Sequence, residues 1–332
     1  MSNADLRLRL TIALRQIRGV GPVTARESIH AMAGYPQMAV ELSDALDAIS
    51  ERVKRPIHCS ITELELAFSG ADRVLEECTR LGIGVAVEGD SKFWEGLWRI
   101  PKAPLLVYYR GRDMAAASVP GVAVIGTREP SSYGMDSGSR IAMACVQSGM
   151  AVVSGLAIGC DAAAHRGALD SGGPTIAVLA HGLHTVYPRQ NRELAEEIVD
   201  TGGLLVSEYA PGVEVRSHQL VERDRLQAGL SRGIIVIETD VDGGTMHTVR
   251  FAQEQGRRIA CINHKPSMRE GAKSRGNQKL IREGVATPID SKEEIAVYLG
   301  QLLGASPNDR AADTASGRQV QQEFNFGKPA SA

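Results

Sequence analysis

Val122-Ala123-Val124-Ile125-Gly126-Thr127-Arg128 decides the fold. Four consecutive apolar residues run into a glycine with no polar alternation among them. A strand of that kind is buried on both faces, as in a parallel sheet covered by helices. The same rhythm returns in short apolar runs at 151–153, 175–179, 204–206, 234–237 and 259–262. Between the runs, 138–147, 162–169, 192–199 and 245–255 carry helical periodicity. With right-handed crossovers, this alternation predicts an extended Rossmann-like, doubly wound, mostly parallel α/β sheet over 85–300. Ligands of such sheets bind beyond the carboxyl ends of the strands, so the residues that follow each strand are the candidate site.

Bulk properties bound the rest. The chain has 332 residues, 43% hydrophobic and 23% charged, which is ordinary globular composition. A net charge of -2 removes any whole-chain argument for nucleic acid, so such a claim must rest on a local patch. The N-terminus lacks the apolar stretch of a signal peptide, and no long unbroken apolar run follows, so neither secretion nor a membrane span is expected. The five cysteines form no C-x-x-C pair, which argues against a zinc site or a disulfide framework and fits a reduced cytoplasmic setting.

Upstream of the sheet, residues 1–84 read as a small all-α domain. Its Arg18-Gly19-Val20-Gly21-Pro22 joins two helical runs and predicts a helix-hairpin-helix (or SAM-like) turn. Such a turn can present backbone N–H groups to a phosphate, although a turn between packed helices needs no ligand. Downstream, 301–332 is rich in Ala, Ser and Asp and reads as a disordered tail, with Phe324 and Phe326 as a short aromatic element in it.

The loops carry the candidate chemistry. Gly126-Thr127-Arg128 combines a glycine that lets a ligand approach with a guanidinium suited to phosphate. Alone it is a turn with a solvated arginine. It also lacks the G-x-G-x-x-G of dinucleotide enzymes, which argues against a redox cofactor. After the second run, Ser154, Gly155 and Gly159 precede a helix with Asp161 as its expected N-cap, a place where an anion is favoured. His165 lies four residues past Asp161; we read this pair as a brace for the loop, because no nucleophile stands at a recognisable spacing. Gly243-Gly244-Thr245, with Thr248, forms another anion cradle at a helix start, opposed by the nearby Glu238, Asp240 and Asp242. No metal spacing is evident. From Arg257 to Arg282 eight basic residues face one acid, Glu270, a candidate phosphate-facing stretch.

Taken in order, the loops resemble a known family. Val124-Ile125-Gly126-Thr127-Arg128, Ser154-Gly155-Leu156-Ala157-x-Gly159-x-Asp161-x-x-Ala164-His165, Tyr187-Pro188, Arg223-x-Arg225-x-x-Ala228-Gly229-Leu230-Ser231 and Gly276-Asn277-x-x-Leu280-Ile281 are similar to the DprA/Smf (DNA-processing protein A) family. Phe93-Trp94 leads into the match, which spans roughly 5–290. The resemblance implies single-stranded DNA binding without catalysis or cofactor, a homodimer, and delivery of DNA to the RecA recombinase. By position it assigns Gly126, Arg128, Ser154, Gly155, Gly159, Arg223, Arg225, Gly243, Gly244 and Thr245 to the DNA pocket.

Several departures mark a divergent member. Arg223-Asp224-Arg225 stands where the family usually has Arg-Asn-Arg, placing a negative charge beside the expected phosphate. Leu220-Val221 replaces Phe-Pro, and the tail stands where many members carry a winged helix. Two other readings stay open on the sequence. One is a regulator or antitoxin of a bacterial defence module that restrains a partner effector. The other is a nucleotide-sensing or phosphoribohydrolase-like protein, although Asp242-Gly243-Gly244-Thr245 lacks that enzyme class's full glycine loop.

Overall fold

A computed structural model describes residues 2–32, 34–53, 57–88, 96–111 and 119–304. Phe93-Trp94 and the 305–332 tail, with Phe324 and Phe326, lie outside the described residues.

Among the described residues, four helices come first: α1 (Asn3–Gln16), α2 (Pro22–Ala31), α3 (Ala39–Val53) and α4 (Ile61–Arg80). Ser2 and Ser60 start α1 and α4 with capping boxes to Asp5 and Glu63, each pairing two otherwise orphaned N–H groups. The Gly19-x-Gly21 turn forms between α1 and α2 as expected, with Gly19 at φ 84° and Pro22 in the first turn of α2.

The remainder builds one nine-stranded sheet from β1 (Gly84–Val87), β2 (Leu106–Gly111), β3 (Gly121–Ile125), β4 (Ala151–Ser154), β5 (Thr175–Leu179), β6 (Leu204–Ser207), β7 (Gly233–Val236), β8 (Arg258–Ile262) and β9 (Thr287–Ile289). Connecting helices are α5 (Ser132–Gln147), α6 (Cys160–Asp170), α7 (Arg192–Asp200), α8 (Ser217–Gly229), α9 (Thr245–Glu254), α10 (Arg275–Arg282) and α11 (Lys292–Gly304). The order is β1-β2-β6-β5-β4-β3-β7-β8-β9, parallel from β6 to β9, with β1 and β2 added antiparallel. All six strands expected from the sequence form. The periodicity missed β1, β2 and β9, which are half-exposed or very short, and α8, whose polar residues are buried for reasons no hydrophobic period reveals.

Burial on both sheet faces is visible in the alternation along β3. Val122 and Val124 join a core beneath α5, α6 and α11, whereas Ala123 and Ile125 join one beneath α8, α9 and α10. The helical segment at the N-terminus does not have a core to itself. Leu10, Leu14, Leu64 and Phe68 belong to one apolar cluster with Tyr108, Leu179, Leu194 and Leu205. Arg26 fastens the same junction, donating to Glu88 at 2.6 Å and to the carbonyls of Ala103 and Pro104. No helix among the described residues is long and apolar enough to cross a membrane.

The chain leaves β3 for β4, β5 and β6 on one side, then returns past β3 to β7, β8 and β9 on the other. Where the winding reverses, adjacent loops part and leave a crevice beyond the strand ends. In this chain that point lies between the loops after β3 and β7.

Candidate functional site

A pocket of about 480 Å³ occupies that crevice. Its walls come from the loop after β3, the loop after β7 with the start of α9, and one face of α8. Gly126, Thr127, Arg128, Arg223, Gly243, Gly244, Thr245 and Thr248 of the expected site line it, and so does Asp161. Ser154, Gly155, Gly159, Arg225 and His165 do not.

Each absence has a physical reason. Arg223 and Arg225 are two residues apart on α8, hence about 200° apart around the helix axis, and cannot face one pocket. Arg225 points away and pairs with Glu208, with further bonds to the Lys102 and Glu222 carbonyls. Ser154 is fully buried and donates to the Val124 carbonyl at 2.8 Å, tying β4 to β3. Gly155 touches the back of Arg223, where a Cβ would lie 2.6 Å from the guanidinium nitrogens. Gly159, at φ 83°, packs where a Cβ would meet the Thr127 and Arg128 carbonyls at 2.6 and 2.7 Å. Gly159 thus backs the Thr127-Arg128 loop, and Gly155 leaves room for the Arg223 guanidinium.

Asp161 was expected as an N-cap. Instead Gly159 is the cap, and Asp161 sits in the first turn of α6, reaching back to accept from the Gly155 N–H at 3.1 Å and the Ala157 N–H at 3.4 Å. It therefore shapes the loop after β4. His165 sits one turn further on, with Nδ1 at 2.7 Å from the Thr175 hydroxyl, which itself donates to the Val152 carbonyl. Complete burial, then the nearby positive charge of Arg223, depresses the His165 pKa to about 3, so the ring is neutral and structural.

Arg223 is the centre of the pocket floor. It is buried, and it donates through Nη1 to the Gly155 and Val178 carbonyls and through Nε to Asp224 at 3.1 Å. Asp161 and Asp224 both lie within its field. Two buried carboxylates thus share one guanidinium. Burial pushes the Asp224 carboxyl up to about 6, a rise that Arg223 only partly opposes. Asp224 is therefore not the simple negative charge the sequence suggests.

That rise has a consequence for stability. An acid that ionises less readily folded than unfolded contributes no penalty below its unfolded pKa. The penalty grows as pH rises towards the folded value, and is complete above it. Asp224→Asn keeps the shape and an acceptor for Arg223 while removing the buried charge. We expect it to raise the unfolding free energy by on the order of 1–3 kcal/mol above pH ~6, with the gain vanishing near pH ~4. Urea unfolding at both pH values checks this, and a loss at neutral pH would show that the Arg223 attraction outweighs the burial cost.

The acids after β7 are also largely engaged. Glu238 turns inward, accepting from the Ser131 N–H at 2.8 Å and the Ser131 hydroxyl at 2.5 Å, while its carbonyl accepts from the Thr127 N–H. Asp240 forms a two-pronged pair with Arg275, which holds its carboxyl below the usual range. The same pairings thin the basic stretch over 257–282. Arg257 is buried against the Gly229 carbonyl, Arg269 donates to the His264 carbonyl and Arg275 is taken by Asp240. Lys265, Lys273 and Arg282 stay exposed.

At the pocket lip, Arg128 is exposed and forms no ion pair among the described residues. Across from it Gly244 is the N-cap of α9, with no side-chain cap; the Met246 and His247 N–H groups donate to the Gly243 and Gly244 carbonyls, so the start of α9 offers the pocket the Thr245 N–H and the positive end of the helix. Sequence reasoning did not single out Asn277, a fully buried side chain on α10 whose Oδ1 accepts from the Thr239 N–H at 2.9 Å and whose amide donates to the Val236, Ile237 and Ile262 carbonyls. It ties the loop after β7 to β7 and β8. The sequence offered only its place in the Gly276-Asn277 stretch that resembles the family, with no role attached to it.

The fold and the site define a Rossmann-like protein with an exposed arginine and a helix N-terminus at the lip of a pocket at the switch point of its sheet. The chain belongs to the DNA recombination-mediator protein A family, whose sequence model matches residues 84–300. It is 38% identical over 209 residues to Protein Smf of Synechocystis, covering 62% of this chain and 51% of that one. The chain therefore spans about half the length of that relative. The X-ray structure of DNA processing protein A from Streptococcus pneumoniae aligns with a TM-score of 0.67 at 26% identity, covering 90% of this chain and 98% of that one. DNA processing protein A from Helicobacter pylori, solved for its single-stranded DNA binding mode, aligns with a TM-score of 0.58 at 26% identity over 67% of this chain and 95% of that one.

Proposed function

We propose that this chain is a DNA-processing protein that binds single-stranded DNA without acting on it chemically, holding backbone phosphates at the lip of the switch-point pocket. The observation that carries this reading is Arg128: an exposed guanidinium without an ion-pair partner among the described residues, opposite the uncapped start of α9. The relative whose structure concerns single-stranded DNA binding supports it. The reading without catalysis is supported by the engagement of the buried acids and the buried histidine around the pocket floor. Asp161 is spent on backbone N–H groups, Asp224 is held by Arg223, and His165 is neutral and away from the pocket. The family description, a recombination mediator, supports delivery of the bound strand to a RecA-type recombinase, and we infer that the protein acts as a homodimer. Neither the family nor the named relatives favour the effector-restraining reading.

Phosphate contacts position a strand without reading its sequence, and their strength falls with salt. Arg128→Ala should weaken binding of short oligonucleotides by about tenfold at all sequences alike, and should lower the slope of log affinity against log salt by about 0.7. Fluorescence anisotropy across a salt series measures both. An affinity unchanged in the variant would remove the phosphate from Arg128.

A further inference from the structure

The pocket carries more carboxylates than guanidinium groups. Glu129, Asp161, Asp224 and Asp240 line it, against Arg128 and Arg223. That balance is wrong for a site that encloses only phosphate, because an anion on the floor would meet like charge at short range. The partners of each group resolve the conflict. Asp161 is occupied by backbone N–H groups and Asp240 by Arg275. Glu129 is exposed at the rim beside Arg128. Asp224 is the carboxylate that α8 presents to the floor beside Arg223, only 8% exposed. It accepts from Arg223 Nε at 3.1 Å and from the Thr248 hydroxyl. A carboxylate has about four lone-pair positions, so roughly half of its accepting capacity is still open. Arg223, meanwhile, has committed Nη1 to two carbonyls. The lip therefore offers a free cation, and the floor offers an acceptor.

A nucleotide in a single strand has the complementary polarity: an anionic phosphate at one end and, on some bases, an N–H donor edge at the other. We infer that the pocket admits a nucleobase carrying an exocyclic amino group, which donates to Asp224 while the attached phosphate rests at Arg128. Adenine, cytosine and guanine satisfy this; thymine does not, because carbonyl oxygens flank its only N–H and would face the carboxylate. A carboxylate accepting from the cytosine amino group is an established pairing in base recognition. The volume of about 480 Å³ falls within the range of pockets that enclose small organic groups. A buried charge also stands here although an amide of the same shape would fit. Such a cost is expected where a site must bind something.

This inference rests on the single-strand reading above, and one experiment separates the two. The purified full chain is titrated with fluorescent oligo-dC and oligo-dT of equal length, at neutral pH and fixed moderate salt. We expect oligo-dC to bind about five- to tenfold more tightly than oligo-dT. In Asp224→Asn the ratio should collapse towards one, because an amide can also donate to a thymine carbonyl. Denaturation of the variant, run in parallel, confirms that it is folded. Equal binding of the two oligomers by the unsubstituted chain overturns the base inference and leaves strand binding intact. A preference that survives in Asp224→Asn overturns it as well. Failure of both oligomers to bind at low salt overturns the single-strand reading together with this inference.

Discussion

Replacing Arg223 with methionine is expected to cost about 3–5 kcal/mol of folding free energy, the range measured when one partner of a buried ion pair is removed. Methionine fills much of the space but donates nothing. Asp161 and Asp224 would then lie buried without the guanidinium they share, and the Gly155 and Val178 carbonyls would lose their donor. Against a total stability on the order of 5–15 kcal/mol, that loss is a fifth or more. Guanidinium-chloride unfolding measures it. Much of the cost comes from orphaned charge, so Arg223→Met combined with Asp224→Asn should lose less than the sum of the single effects. A different result has a clear meaning. If Arg223→Met unfolds like the unsubstituted chain and only loses DNA, then Arg223 is a phosphate ligand and not the member that holds the floor together.

Arg223 also shows how far a sequence can be read. The strands were legible because each buries both faces, and a run such as Val122-Ala123-Val124-Ile125 admits few other readings. The loops after β3 and β7 were legible because topology puts ligands at the carboxyl ends of strands and glycine marks where a backbone is approached. The direction of a side chain was not legible. Arg223 and Arg225 look equivalent in a motif, yet α8 sends one to the pocket floor and the other to Glu208. Nor did the charges reveal their partners. Asp240 and Arg275, 35 residues apart, cancel only once the chain is folded, and the basic stretch over 257–282 loses several of its members in the same way. Long-range pairing is what a one-dimensional charge pattern omits.

Asn277 is the strongest case of a residue whose importance only the fold reveals, and Asn277→Ala is expected to destabilise the protein by about 3–4 kcal/mol. Its side chain is fully buried and is shared among four backbone groups: the Thr239 N–H and the Val236, Ile237 and Ile262 carbonyls. Alanine leaves those groups in the interior with no water to replace the amide, and each buried polar group left unpaired costs roughly 1–3 kcal/mol. The total stays below the simple sum because three of the bonds share the two amide hydrogens. Asn277→Asp should be worse at neutral pH although it is nearly the same size. Its carboxylate would face three carbonyl oxygens and could donate only if protonated, so acidification should narrow the gap between the two variants. The damage should also reach the pocket, because Thr239 lines it and begins the loop that carries Gly243 and Gly244 to α9. Hydrogen exchange at the amides of 239–244 would report this directly, with faster exchange in Asn277→Ala than in the unsubstituted chain at equal global stability. If those amides stay protected and oligonucleotide affinity is unchanged, Asn277 supports the sheet edge alone and the loop after β7 is held by Arg275 and Asp240 instead.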